Sequence, residues 1–143
     1  MEQSKFVSKK IAFASKYPVN LTIYAPHVVQ RMLERLGRDY RNKENECCDF
    51  FEVLLHDERL AVIYERVPFL GTAVLFIEEF CLFVFMQIGT KMDKNEVKVH
   101  TVILGNEKYQ KVLVEREDFC YVLPRTGSLR FGKEKKYFAY KQM

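Results

Sequence analysis

Apolar side chains in this 143-residue chain follow two different periods, and the change between them organises the sequence. Between Pro26 and Gly37, residues Val29, Met32, Leu33 and Leu36 fall at i, i+3, i+4 and i+7, the single stripe of an amphipathic helix. Pro26 suits the first turn, where a missing N–H is no loss, and Gly37 suits the left-handed position just past the end. A second helix is predicted over residues 44–56, with Cys47, Phe50, Phe51, Leu54 and Leu55 at helical spacing. Ahead of both, residues 20–24 alternate and are rich in strand formers.

Downstream the texture changes to strands. Residues 60–67 stop at Pro68 and read as a strand. Residues 73–77 and 80–88 are nearly continuous apolar runs, the pattern of central strands, with Glu78 and Glu79 at the turn between them. Residues 97–104 alternate until Gly105-Asn106, residues 107–118 fit helix or strand equally, and 119–123 and 137–140 read as late strands. Residues 1–18 are basic and weakly patterned, and are predicted as an N-terminal arm or short helix. The implied fold is α+β: N-terminal helices packed on an antiparallel sheet of four or more strands. No repeat or Gly/Ser/Pro-rich linker interrupts residues 1–143, so one domain is expected.

Composition sharpens this picture in three places. The 14% aromatic content, twelve Phe and eight Tyr without Trp, suits a sheet-rich core. The apolar stretch over residues 72–90 has nearly the length of a membrane span, yet Glu78 and Glu79 near its middle would each cost several kcal/mol in hydrocarbon. A hairpin is therefore expected and a membrane helix is not. The polar start, Met1 to Lys5, lacks the apolar run of a signal peptide, and the expected location is cytoplasmic. Cys47, Cys48, Cys81 and Cys120 form no CxxC pair, so buried reduced thiols are expected rather than a metal site, and no cofactor is implied.

The net charge of +4 is unevenly spread. Residues 1–40 carry +4, residues 41–90 carry −5 and residues 91–143 carry +5. A fold that joins the two ends would have a basic face for RNA or another phosphate-rich ligand, and an acidic face for a protein.

One constellation carries chemistry. His27, Arg31 and Arg35 are spaced i, i+4 and i+8 on the first helix, drifting only about 40° per step, so they line one ridge on its polar side. Arginine offers a planar fork for phosphate, and histidine moves protons near neutral pH. The same spacing also fits an ordinary amphipathic helix with solvated arginines. On the 97–104 strand, strict alternation puts Lys98, His100 and Val102 on one face and Val97, Val99, Thr101 and Ile103 on the other. The ridge would then meet Lys98 and His100 across a pocket, or His100 would be a half-buried strand histidine. His56, next to Asp57-Glu58, reads as a helix C-terminal cap. Arg125, Arg130 and Lys133, followed by Tyr137, form a basic stretch suited either to a nucleic-acid backbone or to solvent.

Residues 21–37, with their strand running into a helix bearing H-x3-R-x3-R, resemble the small-domain relatives of the RelE/colicin-type, barnase-like ribonuclease toxins. Residues 60–104 are similar to those domains in order and texture, and the Val97-to-Ile103 strand is similar to their penultimate strand. The resemblance implies a metal-independent ribonuclease in which the RNA 2′-OH is the nucleophile. His27 and His100 would be the acid and base, and Arg31 and Arg35 would neutralise the phosphorus-bound oxygens. It also implies a protein partner, an antitoxin or host target. The chain departs from the pattern in being longer, less basic and richer in apolar aromatics along its hairpin. Those departures suit a second class, a non-enzymatic interaction module such as a small phage- or mobile-element-encoded inhibitor of a host protein.

Overall fold

The structure is a computed structural model that describes residues 5–89, 95–105 and 119–131. In place of the expected N-terminal arm, the chain opens with a hairpin of β1 (Phe6–Phe13) and β2 (Tyr17–Tyr24). Val7, Ile11 and Phe13 point into the core at alternate positions, and Lys9 between them reaches Asp49 and Glu52. The turn uses Ala14 and Ser15 at φ 56° and 59°, a conformation that Asn-Gly usually supplies. The sequence therefore carries no hairpin signal there.

The helix α1 (Ala25–Leu36) begins directly at the end of β2. Pro26 lies in its first turn, and Gly37 at φ 66° closes it with N–H bonds from Gly37 to Leu33 O and from Arg38 to Met32 O. Next comes α2 (Glu44–Leu55), whose first-turn Glu44 and Glu46 complement the helix dipole. The expected strand over residues 60–67 is instead a 3-10 turn, Glu58–Leu60, leading into a short helix, α3 (Ala61–Arg66). Asp57 accepts the Arg59 N–H at its start, and the buried Leu60, Ile63 and Val67 sit at i, i+3 and i+7. The period was helical.

Five strands follow among the described residues: β3 (Thr72–Ile77), β4 (Leu82–Ile88), β5 (Glu96–Leu104), β6 (Phe119–Leu123) and β7 (Arg130–Phe131). Glu78 and Glu79 do form the β3–β4 turn, and no helix among the described residues is long and apolar enough to cross a membrane. The described strands make one sheet in the order β1-β2-β5-β4-β3-β6-β7. It is mixed rather than antiparallel: β2 with β5 and β3 with β6 run parallel, and the other neighbours are antiparallel. Parallel neighbours need long crossovers, and the helices between β2 and β3 belong to one of them. The architecture is thus α+β, with strands rather than helices first.

The three described helices bury their apolar sides against one face of the sheet, where Met32, Phe51 and Ile63 share one buried cluster with Leu21, Ile23, Val97 and Met86. On the opposite face, Val74, Phe76, Phe83, Phe85, Cys120 and Val122 form a second buried cluster under β3, β4 and β6. Towards β1 and β2 that face turns polar, with Ser8 and Thr22 hydrogen-bonded at 2.9 Å. The strand expected over residues 137–140 and the ambiguous 107–118 lie outside the described residues.

Two measurements probe this packing. A Cβ on Gly105 would lie 2.7 Å from Phe76 Cε1 and 3.0 Å from Cys81 Sγ, so Gly105→Ala is expected to destabilise by about 1–3 kcal/mol in urea unfolding. Burial pushes the Cys47 thiol up to about 12 and the Cys48 thiol up to about 11, and Cys120 is buried, whereas Cys81 is exposed. A disulfide reagent on the native chain is expected to label Cys81 first, as read by peptide mass.

Candidate functional site

Strand β2 accompanies β5 only from Glu96 to Val99, then ends and turns into α1. Among the described residues no strand lies on that side of His100 to Leu104. The helix crosses this margin with its His27–Arg31–Arg35 ridge. His27 Nε2 is 3.0 Å from Thr101 Oγ1, and Arg35 Nη1 donates to the Val102 carbonyl at 3.4 Å. Two side chains about 12 Å apart along the helix thus reach adjacent residues of one strand. The ridge is therefore half-buried against β5 rather than fully solvated.

A β-bulge decides what faces the ridge. Phe85 pairs with Thr101 but Met86 pairs with Val99, so His100 is the extra residue. Alternation resets there: Val97, Val99 and Val102 all enter the main core, while Thr101 and Ile103 pair with Phe85 and Phe83. The expectation that Val102 shares a face with Lys98 and His100 fails for this reason. His100 Nε2 lies 3.2 Å from Gln87 Oε1, and Gln87 Nε2 donates to the Gly89 carbonyl at 2.9 Å. With the amide oriented this way, His100 Nε2 is the donor, and Nδ1 is the basic nitrogen of the neutral ring.

His27, Lys98 and His100 line one shallow pocket of about 280 Å³ with Phe6, Tyr24 and Val99. Phe6 and Tyr24 are 46% and 37% exposed, and their ring centroids are 5.1 Å apart. Lys98 Nζ sits 4.7 Å from the centre of the Phe6 ring. Burial and then the charges of Arg31 and Arg35 hold the His27 imidazole below its ordinary value. Burial and then Lys98 do the same for His100. Both rings are therefore mainly neutral at pH 7.

The arginines are differently placed. Arg31 forms an ion pair with Glu34 at 2.7 Å, and Glu34 also accepts from Gln30 at 2.8 Å, which holds its carboxyl below the usual range. Glu34 thus interleaves an acid with the ridge at i+3 from Arg31. Arg130 is exposed in β7, four strands and roughly 19 Å from β5, and Arg125 is exposed in the loop that follows β6; neither lines the pocket. Lys133 and Tyr137 lie outside the described residues. His56 does stand at the end of α2, but its Nδ1 faces the Ala12 carbonyl at 3.3 Å rather than a carbonyl of its own helix.

No protein-family model, curated protein or solved structure matches this chain. Phe6, Tyr24, Thr101 and Gln87 escaped the sequence reading. Phe6 lay in the supposed arm, and a bulge that moves Thr101 leaves no trace in alternation. A larger groove, of about 1150 Å³, lies between α1 and the start of β1 and contains none of His27, Lys98 or His100.

The lowered imidazole values have a consequence for stability. The unfolded chain takes up protons at the ordinary histidine value, while folded His27 and His100 resist them. Their contribution is full above about pH 6.5 and is lost as pH falls through the lowered folded values. The melting temperature is expected to fall between about pH 7.5 and about pH 5.5, and less steeply in His100→Gln.

Proposed function

We propose that this chain binds single-stranded RNA at the His27–Lys98–His100 pocket and cleaves it there without a metal. The observation that carries the reading is the meeting, in one pocket, of two imidazoles, one ammonium and two partly exposed aromatic rings. Phe6 and Tyr24 provide a surface on which a base stacks, and Lys98 provides the positive charge for a phosphate. His100 Nδ1 takes the 2′-OH proton while Nε2–H stays on Gln87. The 2′-oxygen attacks phosphorus, the P–O5′ bond breaks, and protonated His27 gives its proton to the leaving 5′-oxygen. Lys98 stabilises the charge gathered on the equatorial oxygens.

In this reading Arg31 and Arg35 act through His27, whose pKa they lower, rather than as phosphate clamps. A second reading, a protein-interaction module serving an antitoxin or host target, draws on the 78% exposure of Val53 on α2.

The wild-type chain with single-stranded RNA in chelator is expected to give 2′,3′-cyclic phosphate ends, and His100→Ala to lose at least ~100-fold in rate. Since one imidazole must be neutral and the other protonated, the rate profile is expected to be bell-shaped and centred below about pH 6.5. A folded wild-type chain that neither cuts nor retains RNA would remove this reading and leave the interaction module.

A further inference from the structure

At the C-terminal ends of α1 and α2 lies a second concavity, of about 560 Å³, within the usual size of small-molecule sites. It shares no residue with the imidazole pocket. Its floor is apolar: Phe50, Leu54, Ile77, Phe80 and Leu123 line it, and the Phe50 and Phe80 rings are 5.6 Å apart at 58°.

Three arginines from distant parts of the chain line the concavity, and they differ in what they already hold. Arg59 is occupied. It grips the Asp57 carboxylate at 2.7 Å and donates to the carbonyls of Pro124 and Gly127, both at 2.8 Å. Those two carbonyls bracket Arg125, so the loop that carries Arg125 is tied down at both ends. Arg125 itself is exposed and has no carboxylate partner among the described residues. Arg38 lies 4.9 Å over the Phe50 ring and 5.8 Å from the Phe80 ring, and it too pairs with no carboxylate among the described residues. A guanidinium stacked on rings keeps its N–H edge for an anion. Asp57 offsets Arg59, and Glu79 offsets one of the other two, which leaves one positive charge in excess over the apolar floor.

We infer that this concavity binds a small amphipathic anion, its ring-sized apolar body on the Phe50–Leu54–Phe80 floor and its single anionic group held by Arg38 and Arg125. Arg125, whose basic stretch suits either a nucleic-acid backbone or solvent in the sequence, has this role instead.

The test is a fluorescence titration of the full chain with 8-anilinonaphthalene-1-sulfonate, an aromatic monoanion, against neutral N-phenyl-1-naphthylamine. The anion is expected to bind saturably at one site per chain and more tightly than the neutral probe. Arg125→Gln, whose side chain is exposed, and Arg38→Gln are each expected to weaken the anion at least about tenfold and to leave the neutral probe unchanged. Lys98→Gln, in the other pocket, is expected to change neither. Competition with 1-naphthoate and 1-naphthyl phosphate distinguishes a carboxylate from a phosphate headgroup, and displacement by either supports the site. Equal binding of the neutral probe, anion binding that Arg125→Gln and Arg38→Gln leave intact, or equally tight binding of inorganic phosphate alone would overturn it.

Discussion

The structure depends on a mismatch of lengths. Strand β2 accompanies β5 for four residues and then stops, although β5 continues to Leu104. An uncovered strand margin presents backbone groups that must be satisfied, and a helix laid across it is one of the ways proteins meet that demand. Here the helix is α1, tethered directly to the end of β2, so its placement follows from connectivity as much as from packing. Val28 and Met32 go down into the core, and Arg35 reaches the Val102 carbonyl. The polar ridge of the helix is thereby brought against a strand instead of into water.

That placement sets the electrostatics of the imidazole pocket. Two histidines come close to cations, Arg31 and Arg35 for His27 and Lys98 for His100, and both are partly removed from water. Burial and like charge act in the same direction on an imidazole, so both favour the neutral ring. Glu34 engages Arg31 and Gln87 orients His100, each holding its partner in one arrangement. The bulge at His100 is the local device that permits this. It inserts one residue, turns the imidazole towards Gln87, and still returns Val102 to the core.

Arg59 organises the other end of the sheet. One side chain satisfies Asp57, which starts the 3-10 turn, and two carbonyls of the β6–β7 loop. A single planar fork thus joins the helical layer to the late strands, a task for which lysine lacks the geometry. The apolar concavity between Phe50, Phe80 and Leu123 borders on that joint.

What the sequence determined by itself is local: α1 from Pro26 to Gly37, the helix after Glu44, and the β3–β4 hairpin with Glu78 and Glu79 at its turn. In each, periodicity and end signals agree, and a helix stripe or an apolar run needs no knowledge of distant residues. The sequence also singled out His27, Lys98 and His100, because ring nitrogens and an ammonium at those spacings are visible before folding. Residues 60–67 were legible in principle, since Leu60, Ile63 and Val67 keep a helical period behind Asp57, but the stop at Pro68 suggested a strand. Other features were not legible. A turn built on Ala14 and Ser15 conceals the first hairpin, and the parallel pairings of β2 with β5 and β3 with β6 join segments far apart in the chain. Only the tertiary structure decided that Phe6 and Tyr24 border the histidines, that Arg35 caps a strand margin, and that Arg38 and Arg125 share a rim. Each of these joins residues from separate elements, and their meeting is set by sheet order and bulge register, to which no local pattern is sensitive.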